Sequence, residues 1–268
     1  MTPHRLSWTK SHAVTAAVTR LLLSTFLPAQ DAPIHGAAET LATTQVLARM
    51  AAMDEKRAAA QESYTCTRRY SIENKRFKIA AEMTIRMTYR RPGHKEFHIL
   101  SESGSGAIRK RVLHKMIESE LEASRDDMRA QTQITPANYD FRLTGVDMDQ
   151  GRRVYVFEAA PKLQNKFMIR GRIWVDAEDF AITRIEGSPA KSPSFWVQRT
   201  SFVHRYRKFG SFWLAVSNRA ESEVLIFGHT EVKIDYSDYE IEELRTRQYP
   251  VGSAGFAGRP RSAAWLAV

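Results

Sequence analysis

The chain of 268 residues contains one cysteine, and that scarcity excludes several designs at once. A lone Cys66 makes no internal disulfide and cannot supply the paired thiols of a zinc-finger site. It also lies well past any leader cleavage point near residue 30, so it is not the lipid-bearing first residue of a bacterial lipoprotein. Alternating with Tyr64 and Tyr70, it reads as a small apolar strand residue. Acidic residues are missing from both ends. Residues 1–30 hold Arg5, Lys10 and Arg20 with no acid, giving +3, and residues 245–268 hold Arg245, Arg247, Arg259 and Arg261 with no acid, giving +4. Of the formal net charge of +10, only +3 is left for the stretch between. A basic excess confined to the ends marks no folded nucleic-acid face.

Long apolar runs are scarce too. AVTAAVTRLLLSTFLPA, Ala13 to Ala29, follows the basic residues Arg5 and Lys10 and precedes Gln30-Asp31. Residues 1–30 therefore read as an export signal despite the charge of Arg20 inside the apolar run. Nothing else approaches the ~18 apolar residues of a membrane-spanning helix, so a soluble exported protein is expected. Catalytic signatures are missing as well. Ser105 in the stretch SGSG lacks the outer glycines of a nucleophile elbow. The same loop lacks the lysine of a phosphate-binding loop, and helix capping explains it better. His114 and Glu118 share a helix face, but no His-Glu-x-x-His accompanies them. No catalytic residue, cofactor or metal site is expected.

What is present is strand pattern. From Phe77 to Tyr89 the odd positions are Phe, Ile, Ala, Met, Ile, Met and Tyr, while the even ones between them are Lys, Ala, Glu, Thr, Arg and Thr. Such alternation predicts one long strand with an apolar face and a wet face. The turn RRPGHK returns the chain into KEFHILSES. Tyr139–Val146, Arg153–Ala159, Met168–Asp176, Phe180–Gly187, Trp196–Lys208, Phe212–Arg219, Glu221–Phe227 and Thr230–Tyr239 all suit strands. The turns between them are too short for crossover helices, so the sheet is expected to be antiparallel. Residues 31–60 form an N-terminal region whose Ala-rich part, 37–60, favours helix, with Leu41, Val46, Leu47, Met50 and Met53 on one stripe. A second helix is expected from Gly104-Ser105-Gly106 to about Glu122. Its basic residues Arg109, Lys110, Arg111 and Lys115 come first and Glu118, Glu120 and Glu122 last, which opposes the helix dipole. They read as a solvated face, or else as a contact for an anionic head group or acidic partner. Residues 245–268 read as a disordered basic tail.

GRIWVDAEDFAITRIEG, Gly171 to Gly187, gathers Asp176, Glu178 and Asp179 between two apolar runs. Three close carboxylates could bind a metal or share acid and base work. A hairpin tip fits better, because Asp at a strand end bonds nearby backbone and no calcium-loop spacing is present.

This motif, with Pro161-Lys162 before it and PAKSPSFW, VHRYRKFGSFWLAV and IDYSDYEI after it, resembles the outer-membrane lipoprotein-sorting superfamily, the LolA/LolB-like periplasmic carriers. The resemblance spans about residues 60–242. It implies mainly β structure with α: a large curved antiparallel sheet, a half-open β-barrel of about eleven strands covered by a few helices. Residues 61–244 would form that half-barrel. It further implies a periplasmic carrier with an apolar hollow for lipid or the acyl chains of lipoproteins, serving an inner- or outer-membrane delivery protein. Strand facing nominates Met83, Ile85, Met87, Trp174 and Trp213 as ligand-binding residues. A monomer without catalysis is expected, the alternative being a cell-envelope sensor or protein-binding domain on the same fold.

Overall fold

A computed structural model describes residues 42–192, 197–225 and 228–243. Helix α1, Thr43–Ala60, opens the folded part and buries Val46 and Met50. Three strands follow: β1, Gln61–Asn74; β2, Ile79–Arg90; and β3, His94–Gly104. The alternation read along β2 is real, since Ala81, Met83, Ile85 and Met87 are all buried. Next comes a run of short helices: α2, Gly106–Ile108; a π-helical turn, Arg109–Leu113; α3, His114–Ala123; and α4, Asp126–Thr132. Ser105 caps α2 by accepting a hydrogen bond from the Ile108 amide at 3.4 Å. Seven strands complete the described residues: β4, Tyr139–Asp149; β5, Arg152–Pro161; β6, Ile169–Asp176; β7, Ile182–Pro189; β8, Val197–Phe209; β9, Phe212–Val224; and β10, Gly228–Glu243.

All ten strands lie in one antiparallel sheet of order β3-β2-β1-β10-β9-β8-β7-β6-β5-β4. Every neighbour is consecutive in the chain except β1 and β10, the first strand and the last. The fold is thus a meander whose ends pair, while the edges β3 and β4 stay apart and the helical run from α2 to α4 lies in sequence between them. That is the mainly β half-barrel expected, with ten strands where about eleven were implied. The segments Phe212–Arg219 and Glu221–Phe227, read as two strands, are one strand through Val224. Phe227 lies outside the described residues, as do Phe195 and Trp196, residues 1–30, where an export signal is expected, and residues 245–268, where a disordered tail is expected.

Two apolar clusters fill the inner face. The larger joins α1 to β4–β9 through Val46, Met50, Tyr139, Phe157, Ile173, Ile185, Phe202 and Trp213. The smaller joins the helical run to β1, β2 and β10 through Leu113, Tyr70, Ile72, Met83, Ile85 and Ile234. The glycines that bracket the acidic motif are cross-strand partners, Gly171 opposite Gly187. A Cβ on Gly171 would stand 2.0 Å from the Glu186 carbonyl oxygen and 2.6 Å from the Gly187 Cα. Only glycine permits so close an approach of two backbones. Among the described residues no helix is long and apolar enough to cross a membrane.

Candidate functional site in the concave face

The acidic stretch is a hairpin tip. Asp176, fully buried, accepts the amides of Glu178 at 3.0 Å and Asp179 at 2.7 Å, which closes the turn between β6 and β7. Arg152 reaches the same carboxylate through Nε at 2.5 Å and through a second nitrogen at 2.9 Å. Burial works against ionisation of Asp176, but this fork and the two amides outweigh it and hold the carboxyl below its ordinary value. Asp179 accepts from the Trp213 indole at 3.0 Å and pairs with Lys208 at 2.7 Å, while its carbonyl takes Arg57 of α1 at 2.8 Å. The cluster is a structural knot tying α1 to β5, β6, β8 and β9. Among the described residues no group of three or more His, Cys, Asp or Glu side chains could hold a metal ion.

The five residues nominated by strand facing do not converge. Met83, Ile85 and Met87 form one fully buried ribbon on β2, facing inward. Met83 and Ile85 sit in the cluster beneath α2, the π turn and α3. Trp213 is also on the inner face, but in the cluster under α1. Trp174 is on the opposite face. Its neighbours Ile173 and Val175 point into the core, so the pleat turns Trp174 outward against Val154 and Val156. There Arg184 stacks over its ring at 3.8 Å and Arg172 at 5.2 Å. The apolar run Ile173-Trp174-Val175 hid this, because a strand apolar on both faces gives no sign of which side is in.

Sequence reading also missed a buried polar centre on the inner face. Arg68 of β1 points inward between Cys66 and Tyr70 and is 5% exposed. Its guanidinium lies 5.6 Å from the Phe97 ring and 5.0 Å from the Tyr236 ring. It donates to Glu120 of α3 at 2.6 Å, and Lys95 of β3 donates to the other oxygen of the same carboxylate at 2.7 Å. Glu120 is therefore no part of a solvated face, although Glu118 on the same helix is exposed. Burial alone would raise the Glu120 pKa, but Arg68 and Lys95 together hold it well below the usual carboxylate range. The Nε of Arg68 is buried without an acceptor.

Further along the inner face, His204 of β8 is flanked by Ile185 on β7 and Asn218 on β9. Burial pushes its pKa down to about 4, so the imidazole is neutral near pH 7. Even so, its surface is only half-buried. Tyr64 and Tyr236 share the combination, their phenols pushed up by burial while their side chains remain half-buried. The Oδ1 of Asn218 is buried with no donor. A separate surface cavity of about 350 Å³ is polar, lined by Glu62, Ser63, Arg90, Arg91 and Glu242. The inner face thus carries an apolar ribbon on β2, and polar atoms at Arg68, Lys95, His204 and Asn218.

The arrangement is that of an open antiparallel half-barrel with helices laid into its concave side. No protein family and no curated protein matches the chain. Among solved structures it is similar to a DUF1329 family protein from Desulfovibrio piger, at 14% identity over 76% of this chain and 94% of that one, TM-score 0.41. It is also similar to a LolA superfamily protein from Nitrosomonas europaea, at 11% identity over 77% and 96%, TM-score 0.40. A third likeness is to a putative outer-membrane lipoprotein-sorting protein domain from Vibrio parahaemolyticus, at 10% identity over 77% and 93%, TM-score 0.40. The likeness to lipoprotein-sorting proteins read from the sequence is met again here. At such identities the functional reading has to come from the chain's own residues.

Proposed function

We propose that the chain is an exported, non-catalytic carrier that takes lipid, or the acyl chains of lipoproteins, onto the inner face of its half-barrel in the periplasm. One observation carries this reading: Met83 and Ile85, in the inward ribbon that continues to Met87, are roofed by a broken helical run rather than by a paired strand or a single long helix. Wherever β3 and β4 are unpaired, the roof can move without breaking the sheet. The run hangs from Gly104, whose φ of +77° suits glycine, and it contains a π turn, an irregularity that recurs at functional positions. Methionines beneath it adapt to chains of varied shape. Burying an acyl chain there is favourable by about 25 cal/mol for each Å² removed from water. The ligand contacts in this reading are Met83, Ile85 and Met87, with Trp213 at the α1 end.

The test is lipid extraction and mass spectrometry of the purified chain, with binding of the neutral fluorescent probe N-phenyl-1-naphthylamine measured after delipidation. Acyl lipid in the extract and a saturable probe signal are expected. Repeated preparations with neither would sink the carrier. A second reading, an envelope sensor or protein-binding domain, is favoured by one observation: both inner-face clusters are occupied by the chain's own helices. Failure of both lipid measurements would leave that reading in place.

A further inference from the structure

We infer that the hollow selects amphiphiles bearing an anionic head group, a carboxylate or phosphate on an acyl chain, and holds that head at Arg68 and Lys95. The inference rests on the carrier reading and adds the chemistry of its ligand. The two cations belong to the sheet and their counter-ion does not. Arg68 stands on β1 opposite Ile85, and Lys95 stands on β3 opposite Tyr89, so the pair flanks the β2 ribbon on both sides. Glu120 comes from α3 and gives one oxygen to each cation, at 2.6 Å and 2.7 Å. A single carboxylate thus faces two cations, and a positive charge is left over in a mostly apolar surrounding.

The posture of Glu120 is that of a head group. It is a carboxylate at the end of a short aliphatic stem, lowered between two donors above an apolar ribbon. An acyl chain that reaches Met83, Ile85 and Met87 displaces α3, and Glu120 leaves with the helix. A neutral ligand would then strand Arg68 and Lys95 without a counter-ion, and an unpaired buried charge is strongly unfavourable. An anionic head restores the pairing. It can also supply the acceptor that the Arg68 Nε lacks. The Phe97 and Tyr236 rings on the guanidinium fix its plane, which suits two-point recognition of carboxylate or phosphate. His204 adds no charge at neutral pH, so the surplus stays positive.

Competition for bound N-phenyl-1-naphthylamine on the full, delipidated chain tests this. Laurate is compared with dodecanol, and lauroyl lysophosphatidylglycerol with lauroyl lysophosphatidylcholine, all below their micelle concentrations. Each anionic member is expected to compete about tenfold better than its uncharged or zwitterionic partner, as one charge-assisted hydrogen-bond pair implies. A stronger preference for laurate identifies free fatty acid as the source of the anion, and a stronger one for the lysophospholipid identifies membrane lipid. Lys95→Met should erase most of the preference while dodecanol competes within about twofold of its original strength. Glu120→Gln should tighten laurate by removing the internal rival, which keeps the idea testable where a change at Arg68 fails to fold. If the probe binds but acid and alcohol compete equally, the anion site is wrong and the apolar hollow stands. If no amphiphile competes and no probe binds, the carrier reading falls with it.

Discussion

At the scale of single residues, the inner face is governed by charges that burial would forbid singly and permits in combination. Arg68, Lys95 and Glu120 are tolerable because each oxygen of one carboxylate meets a different cation. Removing Glu120 leaves two cations, and Glu120→Ala is expected to cost about 3–5 kcal/mol in urea unfolding. Two ionisations of the inner face contribute to how stability responds to pH, and they act in different windows. His204 titrates near 4 when folded against 6.5 ordinarily, so between these values the unfolded chain binds the extra proton. The stability that neutral His204 leaves intact above about 6.5 is therefore lost as pH falls toward 4, by about 2–3 kcal/mol. His204→Gln should flatten that limb of a stability-against-pH curve. Glu120, held below its ordinary 4.5, contributes stability that is present above that value and lost as pH falls below it. That lower limb should persist in His204→Gln and shrink in Glu120→Gln, with Asp176 supplying part of what remains.

Among the elements, strand pattern was legible and strand facing only partly so. The facing of β2 could be read because its apolar and polar residues alternate, although the strand begins at Ile79 and Phe77, read as its first inward residue, is exposed in the turn before it. β6 could not, since Ile173, Trp174 and Val175 are apolar on both faces and only packing decides which side is in. The polar centre was illegible for another reason. Arg68 and Lys95 lie 27 residues apart on β1 and β3, and their partner Glu120 sits in a helix whose charge pattern looks solvated. No local period records such a meeting. The acidic hairpin tip, by contrast, was legible from Asp chemistry within four positions. The bracketing glycines allow a sharp test. Gly171→Ala forces a Cβ into backbone at 2.0 Å and should cost about 3 kcal/mol or more, or prevent folding. Gly106→Ala meets only the end of the Arg109 side chain at 3.5 Å, so the melting temperature should hold or rise slightly.

For the molecule as a whole, the two faces of one sheet carry different residues, and the proposed carrier uses only the inner one. The inner one carries the methionine ribbon and the charged centre, and the outer one carries Trp174 under its two arginines. Variants on opposite faces should therefore behave differently in the probe-binding measurement. Trp174→Phe is expected to leave affinity within about twofold, while Met83→Ala, which removes a fully buried side chain, should shift it severalfold. Met83→Ala should also lower stability by about 2–5 kcal/mol. Equal responses from the two faces would contradict the division.

Pairing of the first strand with the last also sets how the domain yields to force. Gln61 lies opposite Glu243, so tension applied at those two points opens the β1–β10 ladder rung by rung, as a zipper opens. Each step breaks few hydrogen bonds, and the molecule is mechanically soft along that axis. Tension along β1 from its far end would load the whole ladder at once and meet far greater resistance.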